Sequence, residues 1–155
     1  MITSEKITDS EFRQILNLCK LCCGSIHSSG WESDVCLSRA IHEDRVEFYR
    51  SKGGRVIAFM ETWRITDDQV KKILKGTFDF LRDSITYGEV LWIADFAIHP
   101  EFRGDKSIIN KLCDAVTKKN KDAKLIGFEY GGSRQRRRRF NIIPMRVRQW
   151  AVQKP

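Results

Sequence analysis

The chain has 155 residues, 41% hydrophobic and 31% charged, with a formal net charge of +8. That length suits a single domain with a real core, and no run of about 18 apolar residues is present to cross a membrane as a helix. The positive charge points to an acidic partner (a carrier protein, an acidic protein surface or nucleic acid) without choosing among them.

The first residues, MITSEKITDSEF, have neither the basic start nor the apolar block of an export signal, so a cytoplasmic protein is expected. Thr8 and Glu11 form a capping box, followed at helical spacing by Phe12, Ile15, Leu16, Leu18, Cys19 and Cys22. This first helix should end near Gly24. Ser25 to Trp31 reads as a polar loop, and a short helix is expected from about Asp34 to His42. Val46 to Arg50 and Arg55 to Arg64 alternate like strands around an SKGG turn, which predicts a hairpin.

A second capping box, Thr66 to Gln69, opens a helix through Val70, Ile73 and Leu74. Gly76 should break it, with Phe78 to Leu81 continuing as a short helical piece. Glu89 to Ile98 is the central strand, stopped by His99-Pro100. Arg103-Gly104 then turns the chain into a helix over Asp105–Lys121, whose apolar positions are Ile108, Ile109, Leu112, Cys113 and Val116. Strands are predicted over Lys124–Tyr130 and Arg137–Ile143, around a Gly131-Gly132 turn. Beyond Pro144 the pattern gives no element, although Val147, Trp150 and Val152 could pack. Helices, then a hairpin, then strand-helix-strand make one α+β domain over residues 1–155.

Five cysteines are present, an odd number, and two of them form a C-x-x-C pair, Cys19 and Cys22, inside a helical pattern. No second pair stands at zinc spacing, so no metal site is expected and small core thiols on one helix face are the simpler reading than zinc or redox chemistry. Asp95 carries more information. An ionised carboxylate among Trp92, Ile93, Phe96 and Ile98 is costly to bury unless it is paired, hydrogen-bonded or used. Strict alternation puts Asp95 in register with Ile93 and Ala97, opposite Ala94 and Phe96. A structural pairing with an arginine is the alternative to a catalytic role. His27, between Ile26 and two serines, reads by itself as an exposed loop histidine. An imidazole with a pKa near 6.5 can nevertheless serve as a base near neutral pH. His99, at the end of the strand, is a reserve candidate for that base.

The order of strand, basic Gly turn and helix, with HPEFRGDKSIINKLCDAV after the strand, resembles the GNAT superfamily of acyltransferases. The resemblance implies a mixed, mostly antiparallel sheet flanked by helices, whose central strand splays from a neighbour and offers backbone groups to a pantetheine arm. Here those groups would belong to Phe96, Ala97 and Ile98. It also implies that a Q/R-x-x-G-x-G/A turn and the following helix start take the donor's phosphates. The matching residues are Arg103, Gly104, Asp105, Lys106, Ser107 and Ile108, with Lys106 and Ile108 where the pattern has small residues.

From Ile15 to Phe140 the chain also resembles the toxin-activating lysine acyltransferases of RTX toxin operons. The carrying residues are His27 before Trp31 in IHSSGW, Asp95 in LWIADFAIHP and Trp63 in AFMETW. That family lacks a full coenzyme A phosphate loop and takes its acyl group from acyl carrier protein. Its catalytic pair corresponds to His27 as base and Asp95 as the group that orients it. The implied donor is acyl carrier protein or acyl-CoA, and the implied acceptor is an amine, a protein lysine. An acidic carrier or acidic protein substrate would meet the basic surface, and a second copy of the chain is a further candidate partner. The run from Arg134 to Arg139 supports a rival reading, a basic protein that binds or modifies nucleic acid on the same fold.

Overall fold

The computed structural model describes residues 7–23, 30–80, 82–130 and 139–145. Among these, four helices accompany a five-stranded sheet: α1 Asp9–Cys23, α2 Gly30–His42, β1 Val46–Arg50, β2 Val56–Ile65, α3 Asp67–Leu74, β3 Val90–Ile98, α4 Lys106–Lys119, β4 Leu125–Tyr130 and β5 Arg139–Pro144. A single 3₁₀ turn, Pro100–Phe102, joins β3 to α4. The strands lie in the order β1-β2-β3-β4-β5, antiparallel throughout except for the parallel pair β3 and β4. That mixed, mostly antiparallel α+β architecture is the one expected.

Alternation along the strands divides the core into two layers. Under α1, α2 and α3 lie Ile15, Leu18, Leu37, Phe48, Phe59, Trp63 and Trp92. Under α4 lie Ile57, Met60, Leu91, Ile98, Ile108, Leu112 and Val116. β2 is buried along its whole length because helices cover both of its faces. Both capping boxes form: Thr8 and Glu11 bond reciprocally at the start of α1, and Thr66 and Gln69 do so at α3.

Two local expectations need correction. α2 begins at Gly30, so Trp31 belongs to a helix and not to the loop. Phe78 to Phe80 does not continue α3, which ends before Gly76 at φ 71°. The two phenyl rings instead meet edge to face at 4.8 Å and pack on the core. Arg39 holds this segment through the Phe80 and Asp83 carbonyls, and Gln69 through the Ser84 carbonyl. Side chains from α2 and α3 therefore satisfy carbonyls that a helix would have satisfied internally.

A buried cation on β2 gives the fold a pH dependence. Arg64, 2% exposed, donates to both Asp122 oxygens, the Tyr87 hydroxyl and the Gly88 carbonyl. The Arg64 guanidinium, with help from Tyr87, holds the Asp122 carboxyl down at about 2 against an ordinary 3.8. A depressed carboxyl contributes stability that is complete above its unfolded value and is lost as it protonates in the folded state. Melting temperature should therefore fall as pH drops from 3.8 toward 2. Asp122→Asn should lower it at neutral pH and flatten this part of the profile; an unchanged profile would mean the pair is not linked to folding.

Candidate active site

β3 changes character halfway along. Its parallel pairing with β4 runs from Val90↔Leu125 to Ile93↔Phe128 and stops there, while β4 stays paired with β5 as far as Tyr130↔Arg139. The sheet thus forks after Ile93. At the same place β3 carries one extra residue: Glu61 opposes Asp95, but the next β2 residue, Thr62, opposes Ile93, which leaves Ala94 as a bulge.

The bulge re-aims Asp95. Before it, Val90 and Trp92 face α1 and Ile93 packs with the α4 layer. After it, Ala97 faces α1 and Ile98 faces α4. Asp95 stands two residues before Ala97 and reaches α1, where Oδ2 is 3.9 Å from the Cys19 thiol. The expected register of Asp95 with Ala97 is observed. Its register with Ile93 is not, because the inserted residue breaks the two-residue period. Asp95 Oδ1 accepts the Phe96 N–H at 3.0 Å, so its own strand supplies one hydrogen bond to this half-buried carboxylate.

Backbone directions at the fork follow from one bond. His99 N–H donates to Ile57 C=O, and antiparallel partners exchange bonds at every second pair. Ala97 and Asp95 therefore turn their backbone groups toward β2, and Phe96 and Ile98 turn theirs into the fork. Ala97, expected to share in holding a pantetheine, has its N–H and C=O directed at Phe59 instead. Ile98 C=O accepts from the Cys22 thiol at 3.3 Å and from Arg103 Nε at 3.4 Å. The Phe96 side chain is 37% exposed. Cys19 and Cys22 are thus two thiols on one helix face, packed along β3 from Asp95 to Ile98.

The start of α4 lies beyond the 3₁₀ turn. Asp105 is its N-cap and accepts the Ser107 N–H at 2.9 Å. Bonds from the Ser107 hydroxyl and amide hold the Asp105 carboxyl below the ordinary carboxylate range. Ser107, expected to offer its amide to a phosphate, gives it to this carboxylate. Arg103 sits 3.7 Å from the Cys22 sulfur through Nη2, and Lys106 is exposed. A methyl group added at Gly104 would meet nothing within 4 Å, and the φ there is not positive. His99 is spent on structure: its Nδ1 accepts the Glu101 N–H and caps the 3₁₀ turn.

His27 lies outside the described residues, as does the run from 131 to 138; Arg139 begins β5. No group of three or more His, Cys, Asp or Glu side chains placed to hold a metal occurs among the described residues, and no described helix is long and apolar enough to cross a membrane. Two features escaped the sequence. The bulge at Ala94 has no residue signature, and Glu61 looked like an ordinary strand position. The Asp105 cap was visible as an acidic residue just before a helical pattern.

No protein-family model matches the chain, and neither does any curated protein. Solved structures do. The loading GNATL domain of CurA from Lyngbya majuscula superposes with a TM-score of 0.60 at 13% identity, over 83% of this chain and 63% of that one. The GNAT-like decarboxylase GphF, solved with isobutyryl-CoA, gives 0.59 at 13% identity over 83% and 65%. A GNAT family acetyltransferase from Brucella melitensis, solved with acetyl-CoA, gives 0.57 at 10% identity over 93% and 86%. This chain spans just under two thirds of the first two. At such identities the likeness is one of fold, and a decarboxylase among the neighbours shows that the fold alone does not name a reaction. The described residues form a GNAT-type fold, with the forked sheet and the bulged central strand at its middle.

Proposed function

We propose that this protein is an N-acyltransferase that moves an acyl group from a phosphopantetheine thioester to an amine, a protein lysine side chain. The observation that carries the reading is the fork. Phe96 C=O and Ile98 N–H turn away from β2 and have no β4 partner among the described residues, so an extended arm can bond to them as a third strand would. Asp95 stands two residues past the last β3–β4 pair, with its carboxylate on the α1 face. His27 is assigned as the base that takes the proton of the attacking amine, which must be neutral to attack. Asp95 is assigned to orient that imidazole and stabilise its charged form. The amine adds to the thioester carbonyl, the carbon–sulfur bond breaks, and the pantetheine sulfur leaves protonated.

Acyl carrier protein is the favoured donor, in keeping with the RTX-type resemblance. Coenzyme A presents a diphosphate to the first amides of the helix. Here the Asp105 carboxylate already occupies the Ser107 amide, and its charge opposes a second anion there. A single phosphate held by Arg103 and Lys106 from the side fits better. The same two cations suit the acidic surface of a carrier.

The test is acyl transfer by the full chain to a lysine-bearing protein, with matched acyl carrier protein and acyl-CoA donors, read as amide formation by mass. Transfer is expected from both, and more efficiently from the carrier. No amide from either donor would end the reading. Gly104→Ala should melt like the wild type, because its methyl meets nothing, yet should raise the KM for the donor about tenfold if a phosphate approaches that backbone. An unchanged KM would move the phosphate elsewhere. The rival reading, nucleic-acid binding, draws on the +8 charge and the run from Arg134 to Arg139. It requires an affinity for DNA or RNA that falls steeply with salt and survives Asp95→Asn.

A further inference from the structure

Glu61 is a carboxylate that the proposed chemistry leaves unused. It lies on β2, is 9% exposed, and is the direct cross-strand partner of Asp95. Its strand neighbours Phe59 and Trp63 belong to the layer under α1 and α2, so Glu61 faces the same side as Asp95. Without the bulge at Ala94, Asp95 would face α4 and the two carboxylates would lie on opposite sides of the sheet. With it they are side by side.

Like charges directly opposed across two strands destabilise a sheet, so this arrangement needs an offset. Trp63 supplies part of it. Its Nε1 donates to Glu61 Oε1 at 2.6 Å and fixes the carboxylate. The same indole lies under two guanidiniums, those of Arg39 at 5.4 Å and Arg45 at 6.0 Å. Glu61 is thus fixed behind Asp95, in a place where burial strengthens the field of a charge.

We infer that Glu61 is a positioning residue for the acceptor: it places a second fixed negative charge behind Asp95, so that the site selects a cationic primary amine over an uncharged nucleophile. The inference rests on the acyl-transfer reading above. The amine arrives as an ammonium, is drawn to the paired carboxylates, passes one proton to His27 and through it to solvent, and then attacks as the neutral amine. An uncharged nucleophile gains nothing from Glu61.

The experiment compares two acceptors with the full chain at a saturating acyl-phosphopantetheine donor: a lysine peptide, cationic at neutral pH, and hydroxylamine, uncharged there. Glu61→Gln keeps an oxygen for the Trp63 indole and removes the charge, with an NH2 group in place of the second oxygen. It should raise the KM for the lysine peptide roughly tenfold or more, with the hydroxylamine rate and the donor KM unchanged. Glu61→Asp should restore most of the loss. Equal losses with both acceptors, or no loss with either, would overturn the inference while leaving acyl transfer standing.

A wild-type arm removes dependence on folding of the variants. A trimethyllysine peptide, permanently cationic and unreactive, should inhibit the hydroxylamine reaction, and a norleucine peptide should not. Equal inhibition by the two would also overturn it. Absence of wild-type transfer to either acceptor would sink the acyltransfer reading and this inference together.

Discussion

Asp95→Asn should fold as the wild type does and transfer acyl groups to amines about a hundredfold more slowly, or worse. The asparagine can still accept the Phe96 N–H that Oδ1 accepts now, so the bulge and the fork are retained. What disappears is the negative charge on the α1 face of β3, beside Cys19. The loss should fall on kcat, with the donor KM little changed, because the pantetheine contacts proposed above are backbone groups of Phe96 and Ile98. Steady-state kinetics and a melting curve decide the matter. A variant within threefold of wild type would reduce Asp95 to a structural cap on its own strand. His27→Ala should show a loss of the same order, and the double variant should lose little beyond either single one if the two act as a unit.

The fold was legible from the sequence because its signals are local. Two capping boxes, the SKGG turn and the stop at His99-Pro100 mark boundaries by residue type, and they stand within a residue or two of the observed ends. The apolar spacing of α4 likewise survives packing, with Ile108, Leu112 and Val116 all buried. The site was less legible because it depends on pairing between distant segments. Asp95 could be singled out as a costly residue in an apolar strand. The direction of its side chain could not, since an inserted residue in β3 is defined only against its partner in β2. Glu61 was hidden for the same reason: only register shows that it opposes Asp95. The fork is a place where pairing ends, and a single strand pattern has no mark for that. The turn before α4 was half read. Arg103 and Gly104 were matched by likeness, with Lys106 a departure from the pattern, but the Asp105 carboxylate that claims the Ser107 amide is a capping effect, and it changes what the helix start can hold.

The largest loss of stability is expected at a glycine outside the site. A methyl group added to Gly88 would fall on the Ile65 carbonyl and 2.6 Å from the Thr66 nitrogen. These are backbone atoms at the junction of β2 and α3, so no side-chain rotation relieves the contact. The φ of Gly88 is not positive; closeness, not backbone conformation, demands the glycine. The junction cannot yield cheaply, because Ile65 pairs with Val90, Thr66 caps α3, and the Gly88 carbonyl accepts from the buried Arg64. Gly88→Ala should therefore cost about 3 kcal/mol, a drop of roughly 6–12 °C in melting temperature for a chain of this size. Urea titration should show a lower midpoint with an unchanged slope. The surviving folded fraction should transfer acyl groups more slowly, since β3 starts two residues on from Gly88 and carries Asp95 at the fork. Wild-type stability in this variant would mean that the β2–α3 junction can slide, and that the position of β3 is set from the β4 side instead.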